Sequence, residues 1–167
     1  NDKGIATSLF ALANIAIRKG ELDSATELLQ QSLEINPDPN RKGGALRTLA
    51  GIEMTQGNYD VAEKIIKESM EIDGGTGRYA AGLTRMAILE WKRGNLDESE
   101  RLLKESLDIR RERGDKTAEV EVLLNLSILA KDRGLLEEAE MYSQETLKIS
   151  RERGYRVLEG RSLGNLG

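Results

Sequence analysis

The sequence predicts an all-α protein, a right-handed superhelical solenoid of antiparallel helix pairs, and three observations predict it. Four segments of the 167-residue chain align with one another without gaps, each is organised around a glycine, and apolar residues on both sides of that glycine recur at helical spacing. The segments are RKGELDSATELLQQSLEI (18–35), TQGNYDVAEKIIKESMEI (55–72), KRGNLDESERLLKESLDI (92–109) and DRGLLEEAEMYSQETLKI (132–149). Their glycines, Gly20, Gly57, Gly94 and Gly134, stand 37, 37 and 40 residues apart. A period of that size with helical patterning describes helix pairs, each burying its apolar face against the next.

The first helix of each pair lies before the glycine. In 6–20, 43–57, 80–94 and 120–134 apolar side chains fall on one face, as with Leu9, Leu12, Ala13 and Ala16 in the first and Leu83, Met86 and Ala87 in the third. Ala13, Ala50, Ala87 and Ser127 are small enough to let two helix backbones approach. The glycine supplies the positive φ that ends the first helix, and acidic residues just after it favour the N-terminus of the second. The stretches NPDPNRKGG (36–44) and DGGTG (73–77) read as turn-forming linkers, with Asn36 to Gly44 a tolerated insertion. By contrast, 108–120 and 148–160 keep helical composition up to Gly114 and Gly154, which lengthens the last two second helices by about one turn. The repeats span 6–39, 43–76, 80–113 and 120–153, and 156–167 begins a fifth that is cut off. Such a helix leaves Leu158, Leu163 and Leu166 partly uncovered, so the expectation is a single domain that is a fragment of a longer chain, or one capped by another molecule.

Composition narrows the chemistry. Hydrophobic residues make up 38% and charged residues 32%, with 17 Gly, 2 Pro and 6 aromatics (1 Trp, 4 Tyr and 1 Phe), so a core is available and it is aliphatic. There is no Cys and no His. Disulfides, thiolate metal sites, cysteine nucleophiles and Ser-His triads are thereby excluded. The net charge of −4 does not match the basic footprint of a nucleic-acid binder. No apolar run reaches the roughly 18 residues of a membrane span, and no basic amphipathic stretch suggests surface attachment. A cytoplasmic location is expected. The glycines of DGGTGR (73–78) lack the Gly-Lys-Ser/Thr of a phosphate loop, and the RRERG and SRERG runs pair with acids at helical spacing. No enzyme, cofactor or metal is expected.

These motifs resemble the tetratricopeptide-repeat family. The resemblance rests on Leu9, Leu12, Ala13, Gly20, Leu22, Ala25, Leu29, Ser32 and Pro37 in the first repeat, and on Leu46, Leu49, Ala50, Gly57, Tyr59, Ala62, Ile66 and Ser69 in the second. The third matches with Leu83, Met86, Ala87, Gly94, Leu96, Ser99, Leu103 and Ser106, the fourth with Leu123, Leu126, Ser127, Gly134, Leu136, Ala139 and Thr146. Ser143 departs from the pattern, because the family has a bulky residue there. The C-terminal part is similar to the longer repeats of polarity and G-protein-modulator adaptors and of bacterial signalling proteins, in line with the 40-residue step from Gly94 to Gly134.

The resemblance implies a protein-interaction scaffold or adaptor whose first helices line a concave groove. Charge separates along that division, with a balance of +4 over the first-helix segments 6–19, 43–56, 80–93 and 120–133. Over the second-helix segments 21–38, 58–75, 95–112 and 135–152 it is −13. The family's groove positions fall on Phe10, Asn14, Ile17 and Arg18, on Arg47, Thr48 and Met54, and on Thr84, Arg85, Ile88, Trp91 and Lys92. Further along they fall on Asn125, Ile128 and Lys131, and on Arg161 and Asn165. Of these, Asn14, Arg18, Arg47, Arg85, Trp91, Lys92, Asn125, Lys131, Arg161 and Asn165 are the candidate partner-binding residues. Arg binds carboxylates bidentately and Asn pairs with both N–H and C=O, so the expected ligand is an extended or helical, partly acidic peptide. Asn125 and Asn165 resemble the asparagines that hold ligand main chain in such arrays. The chaperone-type carboxylate clamp fails: Asn14 and Arg85 fit, whereas Phe10, Thr48 and Ala81 do not. Trp91 is either a contact residue or a ring packed over Met54 or Ile88. Two further readings stand beside the scaffold: a self-association module stacking repeat ends between copies, and a regulatory sensor domain of a larger signalling protein.

Overall fold

The computed structural model of the chain describes residues 2–35, 39–74 and 77–166, with the side chains of 39–41, 162, 165 and 166 excepted. Every element among the described residues is an α-helix: α1 (Asp2–Lys19), α2 (Leu22–Ile35), α3 (Pro39–Gln56), α4 (Tyr59–Asp73), α5 (Gly77–Lys92), α6 (Leu96–Glu112), α7 (Lys116–Asp132), α8 (Leu136–Arg153) and α9 (Arg156–Leu166). Contacts divide the chain into two compact units, Asn1–Arg85 and Met86–Gly167, the boundary falling inside α5.

The same turn recurs throughout. Gly20, Gly57, Gly94, Gly114, Gly134 and Gly154 have φ between 68° and 86°, the left-handed region where a Cβ is strained. The residue after each glycine donates its N–H to a carbonyl five residues back, as in Glu21 to Ala16 at 3.0 Å and Leu135 to Ala130 at 2.9 Å, which closes the helix in a Schellman motif. The carbonyl of that same residue accepts the first i→i−4 hydrogen bond of the next helix, for instance from the Ala25 N–H to Glu21 at 3.0 Å. One residue thus ends one helix and opens the next, which forces a tight reversal.

In the first unit α1 packs on α2, α3 on α4, and α2 on α3. Ala13, Ala16, Ala25, Leu29, Ala45, Leu49 and Ile52 form its core, with Ala13, Ala25 and Leu29 wholly inaccessible. Ser32 Oγ donates to the Ala6 carbonyl at 2.9 Å and ties the end of α2 to the start of α1. In the second unit α6 packs on α7, α7 on α8, and α9 on both α7 and α8. Its interior is Leu102, Leu103, Val120, Leu123, Leu124, Leu126 and Leu129, with Tyr142 and Ile149 from α8. Helix α6 has 17 residues and α8 has 18, against 14 in α2 and 15 in α4, in keeping with the extension expected up to Gly114 and Gly154.

Three expectations are corrected. The stretch 39–44 is the start of α3 rather than linker, because Pro39 at the first helical position needs no N–H partner and has a pre-set φ; Asn36, Pro37 and Asp38 lie outside the described residues. Leu12 is 50% exposed, although its counterparts Leu49 and Leu126 are buried. Those two are covered because α2 lies on α3 and α6 on α7, and no helix among the described residues packs on that face of α1. Met54, expected on the groove side, is buried, and Phe10 and Ile17 pack against the α1–α3 core.

Candidate functional site

The first helices carry the candidate polar residues, and in the first unit these meet around a buried acid. Asp73 ends α4, where a carboxylate opposes the helix dipole and needs a compensating cation. Arg47 of α3 supplies it, pairing with Asp73 Oδ2 and donating to Ser69 Oγ at 3.3 Å. Arg78 approaches Asp73 Oδ1 at 3.8 Å from α5. Room for the carboxylate comes from Gly43, where a Cβ would stand 2.7 Å from Asp73 Oδ1. Arg47 is therefore committed to holding α3 against α4.

Arg85 is placed differently. Its guanidinium lies over α3 at Gly51, whose missing Cβ would stand 3.3 Å from Nη1. It has no hydrogen-bond or ion-pair partner among the described residues. Burial, and after it the neighbouring Arg47 charge, push its pKa down from the ordinary arginine value. Arginine stays protonated in proteins, so this is a half-buried cation whose five donors meet no partner among the described residues. On α1, Asn14 spends its amide donor on the Phe10 carbonyl at 2.9 Å, and the exposed Arg18 donates from Nε to the Asn14 carbonyl at 3.4 Å.

In the second unit Trp91 Nε1 donates to Asp132 Oδ2 at 3.0 Å, so its ring is tied to the end of α7. Lys92 and Lys131 are exposed without ion pairs among the described residues. Asn125 is half-buried on α7 and its amide has no hydrogen-bond partner there. Arg161 is exposed on α9, and the side chain of Asn165 lies outside the described residues. Among the described side chains the structure thus separates engaged candidates (Asn14, Arg18, Arg47 and Trp91) from open ones (Arg85, Lys92, Asn125, Lys131 and Arg161), of which Arg85 and Asn125 are half-buried.

Sequence reasoning missed the acids. Asp73 carries one signal, a carboxylate in the last turn of a helix. Glu119 carries none, yet it is buried in α7 and held by Arg111 at 3.3 Å and Lys116 at 2.6 Å. Arg133, the C-cap of α7, reaches Asp97 at 2.7 Å and also pairs with Glu100. No group of His, Cys, Asp and Glu among the described residues is placed to hold a metal ion, and no helix there is long and apolar enough to cross a membrane.

Models of the tetratricopeptide repeat match residues 6–39, and 43–112 with 78–152. The chain belongs to the tetratricopeptide-repeat family. Among solved structures this repeat protein is similar to a signal-transduction ATPase with numerous domains that has a tetratricopeptide-repeat sensor, from Pyrococcus horikoshii. The TM-score is 0.84 and the identity 25%, over 96% of this chain and 25% of that one. The chain therefore spans a quarter of the length of that relative. BtubC from P. vanneervenii shares the fold at a TM-score of 0.74 and 20% identity, over 92% of this chain and 66% of that one. A search of curated proteins found no match. Tetratricopeptide repeats mediate binding between proteins, and their small-residue positions are met here by Ala13, Ala50, Ala87 and Ser127, all inaccessible.

Proposed function

We propose that the chain is a protein-interaction module whose first helices bind a partly acidic peptide segment of a partner protein. The observation that carries this reading is Arg85, a half-buried guanidinium with no partner among the described residues, lying against Gly51. A carboxylate arriving there gains a charge-assisted, bidentate bond with little further desolvation to overcome. Asn125, whose amide has no partner among the described residues, is suited to hold peptide main chain. The similarity to a protein with a tetratricopeptide-repeat sensor favours a regulatory setting, in which occupancy reports the partner's presence to the rest of a longer chain. The test is a crosslinking pull-down from native lysate with wild type and an Arg85→Glu, Asn125→Ala variant of equal melting temperature. Loss of one protein from the variant's captures supports the reading; identical captures overturn it.

A second reading, self-association, is favoured by the apolar residues Ile5, Leu12 and Ile15 exposed on α1, and by Val157 and Leu163 exposed on α9. Light scattering over a concentration series decides it, since a strict monomer at high concentration removes it.

A further inference from the structure

Around the start of α8 the fourth repeat exposes three apolar side chains, two of them at positions where its counterparts carry polar ones. Leu136 is 68% exposed, Met141 53% and Leu135 37%. At the position of Met141 the other repeats have Glu27, Lys64 and Arg101, and at that of Leu135 they have Glu21, Asn58 and Asn95. In the second and third repeats the turn asparagine donates to a glutamate five residues earlier, Asn58 to Glu53 at 2.9 Å and Asn95 to Glu90 at 2.6 Å. In the fourth repeat both members of that pair are apolar, Ala130 and Leu135. The fourth repeat thus lacks the polar pair that covers this turn in the second and third.

The surface that results is mixed in a specific way. Gly134, Leu135, Leu136, Glu137 and Glu138 line an open depression of about 360 Å³. Helical spacing puts Leu136, Glu137, Glu140 and Met141 on one exposed strip of α8, two carboxylates between two apolar side chains. Glu137 has no hydrogen-bond or ion-pair partner among the described residues, and Glu140 meets the neutral Gln144 amide at 2.9 Å. On α6 Glu98 and Glu105 are matched by Arg101, and on α4 Glu63 is matched by Lys67, whereas on α2 the exposed Glu27, at the position of Met141, stands with no such partner among the described residues and no apolar neighbour of that exposure beside it. One exposed leucine needs no explanation, whereas three clustered apolar residues around uncompensated acids form an interaction patch.

We propose that this strip of α8 is a docking site for a cationic amphipathic segment of a partner protein. Its apolar side chains lie against Leu135, Leu136 and Met141, and its Lys or Arg side chains pair with Glu137 and Glu140. Charge complementarity selects this occupant, because the same carboxylates repel an acidic segment or an anionic lipid surface. The site is chemically opposite to Arg85, which receives carboxylates, and does not depend on that reading.

The experiment is fluorescence anisotropy of the full chain with a labelled helical peptide of Leu and Lys, its leucines at i, i+3, i+4 and i+7. The variant Leu135→Asn with Met141→Arg carries the residues of the third repeat, and unchanged circular-dichroism melting verifies its fold. Affinity is expected to fall at least about tenfold in that variant. Glu137→Gln with Glu140→Gln should weaken binding and flatten its salt dependence, and Arg85→Glu should leave binding intact. The proposal is overturned if the wild type does not bind, if Leu135→Asn with Met141→Arg binds equally, or if a peptide with Glu in place of Lys binds as well.

Discussion

The hydroxyls of Ser127 on α7 and Ser143 on α8 lie 2.7 Å apart, both wholly buried, and Ser127 Oγ also reaches the Ala139 carbonyl at 3.1 Å. Ser143 stands where the other repeats bury Leu29, Ile66 and Leu103, and Ser127 where they have alanine. The two departures from the repeat pattern are partners. Removing one hydroxyl leaves the other buried with less than its complement, at about 1–2 kcal/mol. Ser127→Ala should therefore lower stability in urea, and Ser127→Ala combined with Ser143→Ala should cost less than the sum of the single changes. Strict additivity in the double-mutant cycle would refute the coupling.

Arg47 and Asp73 form a buried pair, so breaking it from one side should cost more than replacing it. Arg47→Ala leaves the Asp73 carboxylate in the interior with the more distant Arg78, and about 3 kcal/mol of destabilisation is expected. Gly43→Ala should also destabilise, because its methyl meets a carboxylate that Arg47 holds in place. Equilibrium unfolding of each variant measures this; a loss under about 0.5 kcal/mol for Arg47→Ala would rank the pair with exposed ones.

Leu126 and Leu12 occupy the same place in the repeat and should respond oppositely to charge. Leu126→Asp puts a carboxylate into the α6–α7–α8 interior, and loss of cooperative melting is expected. Leu12→Asp changes an exposed position, for which a shift within about 0.5 kcal/mol is typical. Circular-dichroism melts of the two variants decide it. Equal damage would mean that the exposed face of α1 is covered in solution, which is the prediction of self-association.

Glu100 supplies a pH test. Its hydrogen bond from Lys104, together with the Lys104 and Arg133 charges, outweighs burial and holds its pKa below the usual carboxylate range. A folded-state pKa below the unfolded one means stabilisation that is complete above the unfolded value, about 4.3, and is lost as pH falls below it. Glu100→Gln should thus lower stability at pH 7 and flatten its decline between about pH 5 and 3. Parallel acid limbs in wild type and variant would remove Glu100 as a contributor.

The local structure was legible because it depends on near neighbours in the chain. Gly20, Gly57, Gly94 and Gly134 announce left-handed turns, and each turn has one, since no L side chain is comfortable at those angles. Ala13, Ala50, Ala87 and Ser127 announce close helix contact, and all four are sealed from solvent. Which side of each helix is covered was decided by the tertiary structure. Leu12 and Leu126 occupy the same position in the repeat, yet one is exposed and the other buried, the latter where α6 lies on α7.

The polar candidates follow the same division. The repeat pattern placed Arg47, Arg85 and Asn125 on first helices by spacing alone. Spacing could not reveal that Asp73, 26 residues from Arg47, claims that guanidinium while Arg85 is left open. An ion pair depends on distances between segments remote in sequence, and one carboxylate satisfies one of two nearby arginines. The sequence by itself determined the helices, their turns and the repeat family; only the packing of one helix on another determined which charges remain available to a partner.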